Sequence, residues 1–251
     1  MPTPTSPGAD SAAAAAAPAS PKRGAGQQSA TAIKLLKAAG ELMIERDTID
    51  ISLSELAKRS GINAALVKYH FGNKNGLLLA LLTRDARSQI AKLDTLMQQP
   101  LSPTEKLRLH VAGVINAYYR YPYLNRLIHL LLYESSRDAA NEVGDFFVKP
   151  VFAFQQQLLR DGIASGEFRD VDPVLFFTSL MGAGARLFDG REVMSRALGI
   201  GGVTDDVRRR YVQHMTELFC GGILQPARSR KDSRTEKRRP ASVTRSIGRT
   251  S

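Results

Sequence analysis

The sequence contains one cysteine, Cys220, in 251 residues. A single thiol excludes an internal disulfide framework and fits a reducing cytoplasm. No apolar run reaches the length of about 20 residues that a membrane-spanning helix needs. Residues 1–28 lack the order of a signal peptide, because the alanine-rich stretch at 11–20 precedes Lys22 and Arg23 instead of following them. The four histidines, at positions 70, 110, 129 and 214, are too scattered for a metal site with Cys/His spacing. No G-x-G-x-x-G follows a strand pattern, and no P-loop is present. Cys220 lies on an apolar helical face without the flanks of a nucleophile, and no carboxylates pair for acid–base work. These absences lead us to expect no enzymatic activity, no catalytic residues, no cofactor and no metal. No β period of useful length appears, so the expected fold class is all-α.

What is abundant is basic charge, but it is unevenly placed. The net charge is +11 and the isoelectric point is about 10.0. Residues 226–251 carry +7 of that charge and residues 78–225 only +1. The tail at 226–251 reads as a disordered basic segment, either a salt-sensitive aid to DNA affinity or a solubility tail. Residues 1–28, rich in Ala, Pro, Ser and Gly, read as a disordered arm. Lys22 and Arg23 in that arm are either minor-groove contacts or part of a solvated linker. Bulk charge therefore says little about partners.

The segment SLSELAKRSGINAALVKYHFGNKNGL (52–77) says much more. Ser52 and Glu55 are spaced as a capping box. Leu53, Leu56 and Ala57 make an apolar helical face. Gly61 permits the left-handed turn that ends one helix and starts the next, and Asn63 is a good N-cap. The pattern is that of a helix-turn-helix, whose second helix lies in the DNA major groove. Leu66 and Val67 are expected to face inward. Ala64, Ala65 and Lys68 are left outward, and small side chains there allow close approach to base edges. Tyr69, His70 and Lys74, with Ser52, Ser54 and Asn63, are candidate DNA contacts, the first three toward phosphate oxygens. Asn73 is expected to cap the following helix, whose free N–H groups offer a second phosphate site.

Three segments in order, TAIKLLKAAGELMIER (31–46), ISLSELAKRSGIN (51–63) and YHFGNKNGLLLAL (69–81), resemble the TetR family of bacterial transcriptional regulators. The resemblance departs at Lys68, where the family usually has tyrosine, near Asp47, where it usually has glycine, and at Asn75, where an acidic residue is common. It implies a sequence-specific DNA-binding regulator, most often a repressor, acting as a cytoplasmic, nucleoid-associated homodimer on a pseudo-palindromic operator in double-stranded DNA. It further implies a small-molecule effector, held in the larger domain, that moves helix four. No membrane partner is expected.

The expected organisation is a head at 29–77 and a helical body at 78–225. Helices are expected at 29–47, 52–60, 63–70, 74–98 and 103–121. Further helices are expected at 123–136, at 139–165 with a kink or break at Pro150, at 173–188 and at 204–222. Phe177, Met181 and Gly184 on the eighth helix, with Tyr211, Met215 and Phe219 on the ninth, are candidates for a four-helix dimer interface, although an ordinary intramolecular core would use the same residues. Candidate pocket residues are Tyr118, His129, Tyr133, Phe147, Phe154 and Arg186. The last could instead pair with Asp189 or Glu134. Two other readings stay open: a helical protein-interaction module, and a nonspecific DNA-binding protein.

Overall fold

The computed structural model describes residues 29–189, 191–199 and 201–225. The expected arm at 1–28 and tail at 226–251 lie outside the described residues. The described chain is helical, and its sole β feature is an isolated bridge between Phe168 and Leu224.

Three helices come first among the described residues: α1 (Ala30–Arg46), α2 (Leu53–Ser60) and α3 (Ala64–Phe71). Ser29 caps α1, accepting from Ala32 N. The helix ends at Asp47, whose backbone is left-handed (φ 52°, ψ 39°). Aspartate tolerates that region better than most residues, so the departure from glycine noted in the sequence is accommodated. Leu35, Leu36, Ala39 and Met43 of α1, Leu56 of α2 and Val67 of α3 are buried together.

Helix α4 (Lys74–Gln98) then runs for 25 residues and belongs to both parts of the molecule. Leu77, Leu78, Leu81 and Leu82 fill both sides of its first half and are at most 1% exposed. The body adds α5 (Pro103–Arg120), α6 (Leu124–Tyr133), α7 (Arg137–Val143), α8 (Lys149–Ala164), α9 (Pro173–Asp189), α10 (Arg191–Leu198) and α11 (Asp205–Ile223). A second capping box, Ser102 with Glu105, and Pro103 in the first turn start α5, for the reasons the sequence suggested.

Two stretches differ from expectation. The long helix expected at 139–165 is two helices joined by a π-helical turn, Gly144–Val148. Proline cannot donate to the carbonyl one turn back. The wider turn comes just before it, with Lys149 N–H donating to the Gly144 carbonyl, so Pro150 falls in the first turn of α8, where it is tolerated. Helix α7 also starts earlier, because Ser136 caps it by accepting from Ala139 N. Helix α10 was not expected. It is short, polar and followed by glycines, which mask its period.

Head and body meet at a buried polar cluster. Asp85 of α4 is 2% exposed. The Tyr123 hydroxyl donates to its Oδ2 at 2.6 Å, and Arg84 Nε donates to Oδ1 at 2.7 Å. Helix α1 comes close enough that a Cβ on Gly40 would sit 3.0 Å from the Tyr123 hydroxyl. Three segments, α1, α4 and the start of α6, are thereby fixed against one another at one point.

Candidate nucleic-acid interface

The turn between α2 and α3 is built by local hydrogen bonds. Ser52 Oγ accepts from Glu55 N, and Glu55 accepts from Ser52 N at 2.8 Å. The Glu55 carboxyl is pulled down to about 2, chiefly by the Ser52 N–H and then by Arg46, with which it forms an ion pair. Helix α2 ends at Gly61 in the left-handed conformation (φ 67°). Asn63 Oδ1 accepts from Ala65 N at 2.9 Å and starts α3.

Helix α3 divides cleanly. Val67 and Phe71, four apart, turn toward the core, and Ala64, expected outward, is half-buried at the start of the helix. Ala65, Lys68 and Tyr69 are exposed, Tyr69 at 73%. Leu66 was expected inside but is 41% exposed. One residue is a 100° rotation on a helix, and the narrow buried face of α3 is centred on Val67, which leaves Leu66 on its exposed side. An exposed leucine beside Ala65 offers apolar surface of the kind that meets a thymine methyl, which sequence reasoning missed. The 67–71 spacing was the signal that could have found it.

The rim of this face is polar. His70 is half-buried and stacks edge-on with Tyr69, with centroids 5.1 Å apart. Ser52 and Ser54 are exposed at the start of α2, their hydroxyls 3.0 Å apart. Asn73 caps α4 by accepting from Gly76 N at 2.8 Å. Gly76 is needed there, since a Cβ would lie 2.0 Å from the Phe71 carbonyl oxygen. Lys74 is held by Asp50, Nζ to Oδ1 2.6 Å. The ten candidate DNA residues thus gather on α3 and on the starts of α2 and α4.

The body contains a cavity of about 260 Å³. Ile90, Leu93 and Leu96 of α4, Val114 and Tyr118 of α5, and Phe147 of the π turn line much of it. Leu124 and Met181 also reach it, and Lys92 is the charged lining residue. Tyr118 and Phe147 stand where the pocket expectation put them. Phe154 is one layer back, its ring 4.7 Å from that of His110. His129 and Tyr133 form a ring pair on the outside of α6, with Tyr133 74% exposed. Arg186 is exposed on α9. His129 and Tyr133 point to solvent because α6 buries Leu124, Leu127 and Leu131 instead, and Arg186 does because α9 buries Gly184, Leu187 and Phe188.

His110, missed by the sequence reading, lines the cavity and is 2% exposed. Burial pushes its imidazole down to about 4. Its Nε2 lies 2.9 Å from Gln155 Nε2. With the amide donating, the ring nitrogen accepts and Gln155 Oε1 has no protein partner.

The expected interface residues turn out to be engaged within the subunit. Gly184 packs against Val114 and Tyr118, and Met215 is 2% exposed. Phe177 meets Phe152, Phe219 meets Phe176, and the Tyr211 hydroxyl donates to the Ala183 carbonyl at 2.6 Å. Met181 lines the cavity. Bulky side chains on α9 and α11 fill the subunit's own core first. The outward stripe is instead Val174 (55% exposed), Leu175 (66%), Thr178, Ser179 and Gly182 on α9, with Leu218 (58%) on α11.

With this arrangement in view, the family comparisons are decisive. The model for bacterial regulatory proteins of the tetR family matches residues 35–81, and that for the tetracyclin repressor-like C-terminal domain matches residues 100–229. The chain belongs to the TetR family. Solved TetR-type structures share its fold. A TetR/AcrR-family regulator from Thermobifida fusca YX-ER1 is 22% identical, with 74% of this chain and 96% of that one covered and a TM-score of 0.57. FadR from Bacillus subtilis, in complex with stearoyl-CoA, is 16% identical over 73% and 97% of the two chains, with a TM-score of 0.56. FadR from Bacillus halodurans, a fatty acid degradation regulator, is 17% identical over 76% and 97%, with a TM-score of 0.55. No curated protein sequence matches the chain significantly. Among the described residues no helix is long and apolar enough to cross a membrane. The TetR-family head is thus the DNA-binding module, and its fold is that of a transcriptional regulator.

Two outcomes check this geometry. Lys74→Ala should weaken binding to all DNA sequences alike and reduce the salt slope by about 0.9 per head, as loss of one phosphate contact does. Asp50→Asn should strengthen binding, because it frees Lys74 and removes a negative charge. Unchanged affinity and slope for both variants would remove Lys74 from the phosphate surface. The second outcome concerns His110, whose folded-state value lies below that of the unfolded chain. Its contribution is full above about pH 6.5 and is lost as pH falls toward 4, by about 3 kcal/mol at pH 4. Chemical denaturation of the wild type and His110→Gln across that range should show a smaller acid loss in the variant. Parallel pH profiles would contradict a buried neutral imidazole.

Proposed function

We propose that the chain is a dimeric, ligand-responsive repressor that sets α3 of each subunit in the major groove of a pseudo-palindromic operator. The observation that carries this reading is the exposed Ala65–Leu66–Lys68–Tyr69 face, flanked by Ser52, Asn73 and Lys74. Base-reading positions sit at the centre and phosphate-reaching groups at the edge, the division of labour that specific recognition requires. One such head offers few base contacts. Two heads spaced about 34–36 Å apart read two half-sites on one side of the duplex. The apolar side of α9, with Leu218 of α11, supports a partner subunit there. Two copies would then bury Val174, Leu175 and Leu218 around the exposed Gly182, where helices can approach closely.

The cavity supports the ligand response. Its wall is shared by α4, which also carries the Asn73–Lys74 end of the head. An occupant that fits one position of α4 better than another shifts the population of head positions. A lining dominated by leucine, isoleucine, valine and aromatic side chains favours an apolar ligand. At about 260 Å³ the space is just under the usual range of roughly 300–1,000 Å³, so a compact ligand fits without rearrangement and a longer one needs widening. The stearoyl-CoA bound by the B. subtilis neighbour is in keeping with an apolar guest.

The test is a selection of bound genomic fragments on purified protein at near-physiological salt. The proposal expects an enriched inverted repeat. It also expects that Leu218→Glu, on an exposed position, gives monomers by sedimentation and loses the repeat while keeping the fold. Enrichment without a motif would instead support nonspecific binding, and no enrichment would favour a protein-interaction role.

A further inference from the structure

Four consecutive residues at the start of α6 each reach a different part of the molecule. Tyr123 holds Asp85 of α4 and lies against Gly40 of α1. Leu124 lines the cavity. Asn125 donates to Asp189, the last residue of α9. Arg126 reaches across to the head, its Nη1 donating to the Asp47 carbonyl at 2.7 Å and its Nη2 to the Asp47 carboxylate. We propose that Arg126 is a positioning residue that clamps the end of α1 and sets the angle of the DNA-binding head on the body. This rests on the reading of the chain as a dimer that binds spaced half-sites.

The chemistry supports a clamp with a defined geometry. A guanidinium that engages a carbonyl and a carboxylate of one residue fixes both distance and direction, which a point charge does not. Asp47 is the one non-glycine with positive φ among the described residues, so its carbonyl is turned by a backbone conformation that few side chains adopt. The contact is half-screened, with 31% and 45% side-chain exposure, so its strength as an ion pair is modest. Its leverage comes from position. The Asp189 carboxyl, raised chiefly by burial, also faces Arg126 and Asp47. A cleft of about 430 Å³ lies beside them, lined by Ile49 of the head, Asn125, Arg126, His129, Leu130, Glu134 and Asp189. Arg126 holds the end of α1, and its neighbour Asn125 holds the end of α9, the helix whose outer side is proposed to meet the second subunit, so one turn of α6 joins the two. Any change at Leu124 in the cavity wall is two residues away from this link.

Orientation errors in one head appear as a loss of spacing preference, because a dimer with loose heads accepts half-sites at several separations. The test measures the affinity of the full-length protein for the selected inverted repeat with its spacer lengthened or shortened by one and two base pairs. Three variants are compared with the wild type. Arg126→Gln removes the fork, and Arg126→Lys keeps the charge without it. Asp47→Gly keeps the left-handed turn and removes the carboxylate. The proposal expects one spacing optimum in the wild type. In Arg126→Gln the ratio between the best and shifted spacers should fall at least about fivefold, with base preference within a half-site unchanged. Arg126→Lys and Asp47→Gly should fall between, since Asp47→Gly retains the carbonyl acceptor. Adding Asp47→Gly to Arg126→Gln should cost nothing further. Equal loss at every spacing, or additive effects of the two changes, would overturn the clamp and leave Arg126 a stability residue. Absence of any inverted repeat for the wild type would defeat the functional reading itself, a separate outcome.

Discussion

The hydrogen bond from the Tyr123 hydroxyl to the buried Asp85 carboxylate is the contact on which the rest of the molecule depends. A carboxylate at 2% exposure costs free energy unless its lone pairs are met. Here the phenol serves one oxygen and Arg84 the other. Burial raises the Asp85 carboxyl, and these partners work against that rise. Because the partners come from α4 and the start of α6, with α1 closing over them at Gly40, the satisfied arrangement exists for one crossing of these helices. Sliding α4 by one residue would leave a buried charge unmet. The polar cluster selects a register that the surrounding leucines would not.

Helix α4 makes that register useful. Its 25 residues span about 37 Å at 1.5 Å per residue. One end carries the Asn73 cap and Lys74 beside α3, and the other forms a wall of the cavity. A rod with a recognition surface at one end and a ligand surface at the other transmits displacement without a chain of rotamer changes. The surrounding junction decides how much displacement each end feels. The bidentate contact of Arg126 to Asp47 and the phenol of Tyr123 stand on adjacent faces of that junction, and Leu124 between them touches the cavity.

Much of the head was legible in the sequence because its signals are local. Ser52 with Glu55, Gly61, Asn63 and Asn73 each act within three residues, and each adopts the cap or turn its chemistry suggests. The family resemblance covered the same stretch. The body was less legible, for a physical reason. Apolar bulk at Met215 and Phe177, or small size at Gly184, says that a position packs, not which neighbour it packs against. Their partners Val114, Tyr118 and Phe152 are far away in sequence. His129, Tyr133 and Arg186 were chosen by residue type, while the direction of each depends on which side of α6 or α9 is buried. His110 was passed over because a lone histidine gives no local sign of its burial. The π turn before Pro150 shows the same limit at smaller scale. A break was readable from proline, but the turn that absorbs it depends on the packing of the segments on either side.

The central claim is that the junction of α1, α4 and α6 sets one angle of the head on the body in the unliganded chain. The most direct test is a distance distribution from paired spin labels at Lys58→Cys on α2 and Arg160→Cys on α8. The background would be Cys220→Ser, with labelled protein diluted in unlabelled chain so that only distances within one subunit count. The account predicts a single narrow distribution that broadens when Tyr123 is replaced by phenylalanine. A broad distribution in the chain that retains Tyr123 would contradict it.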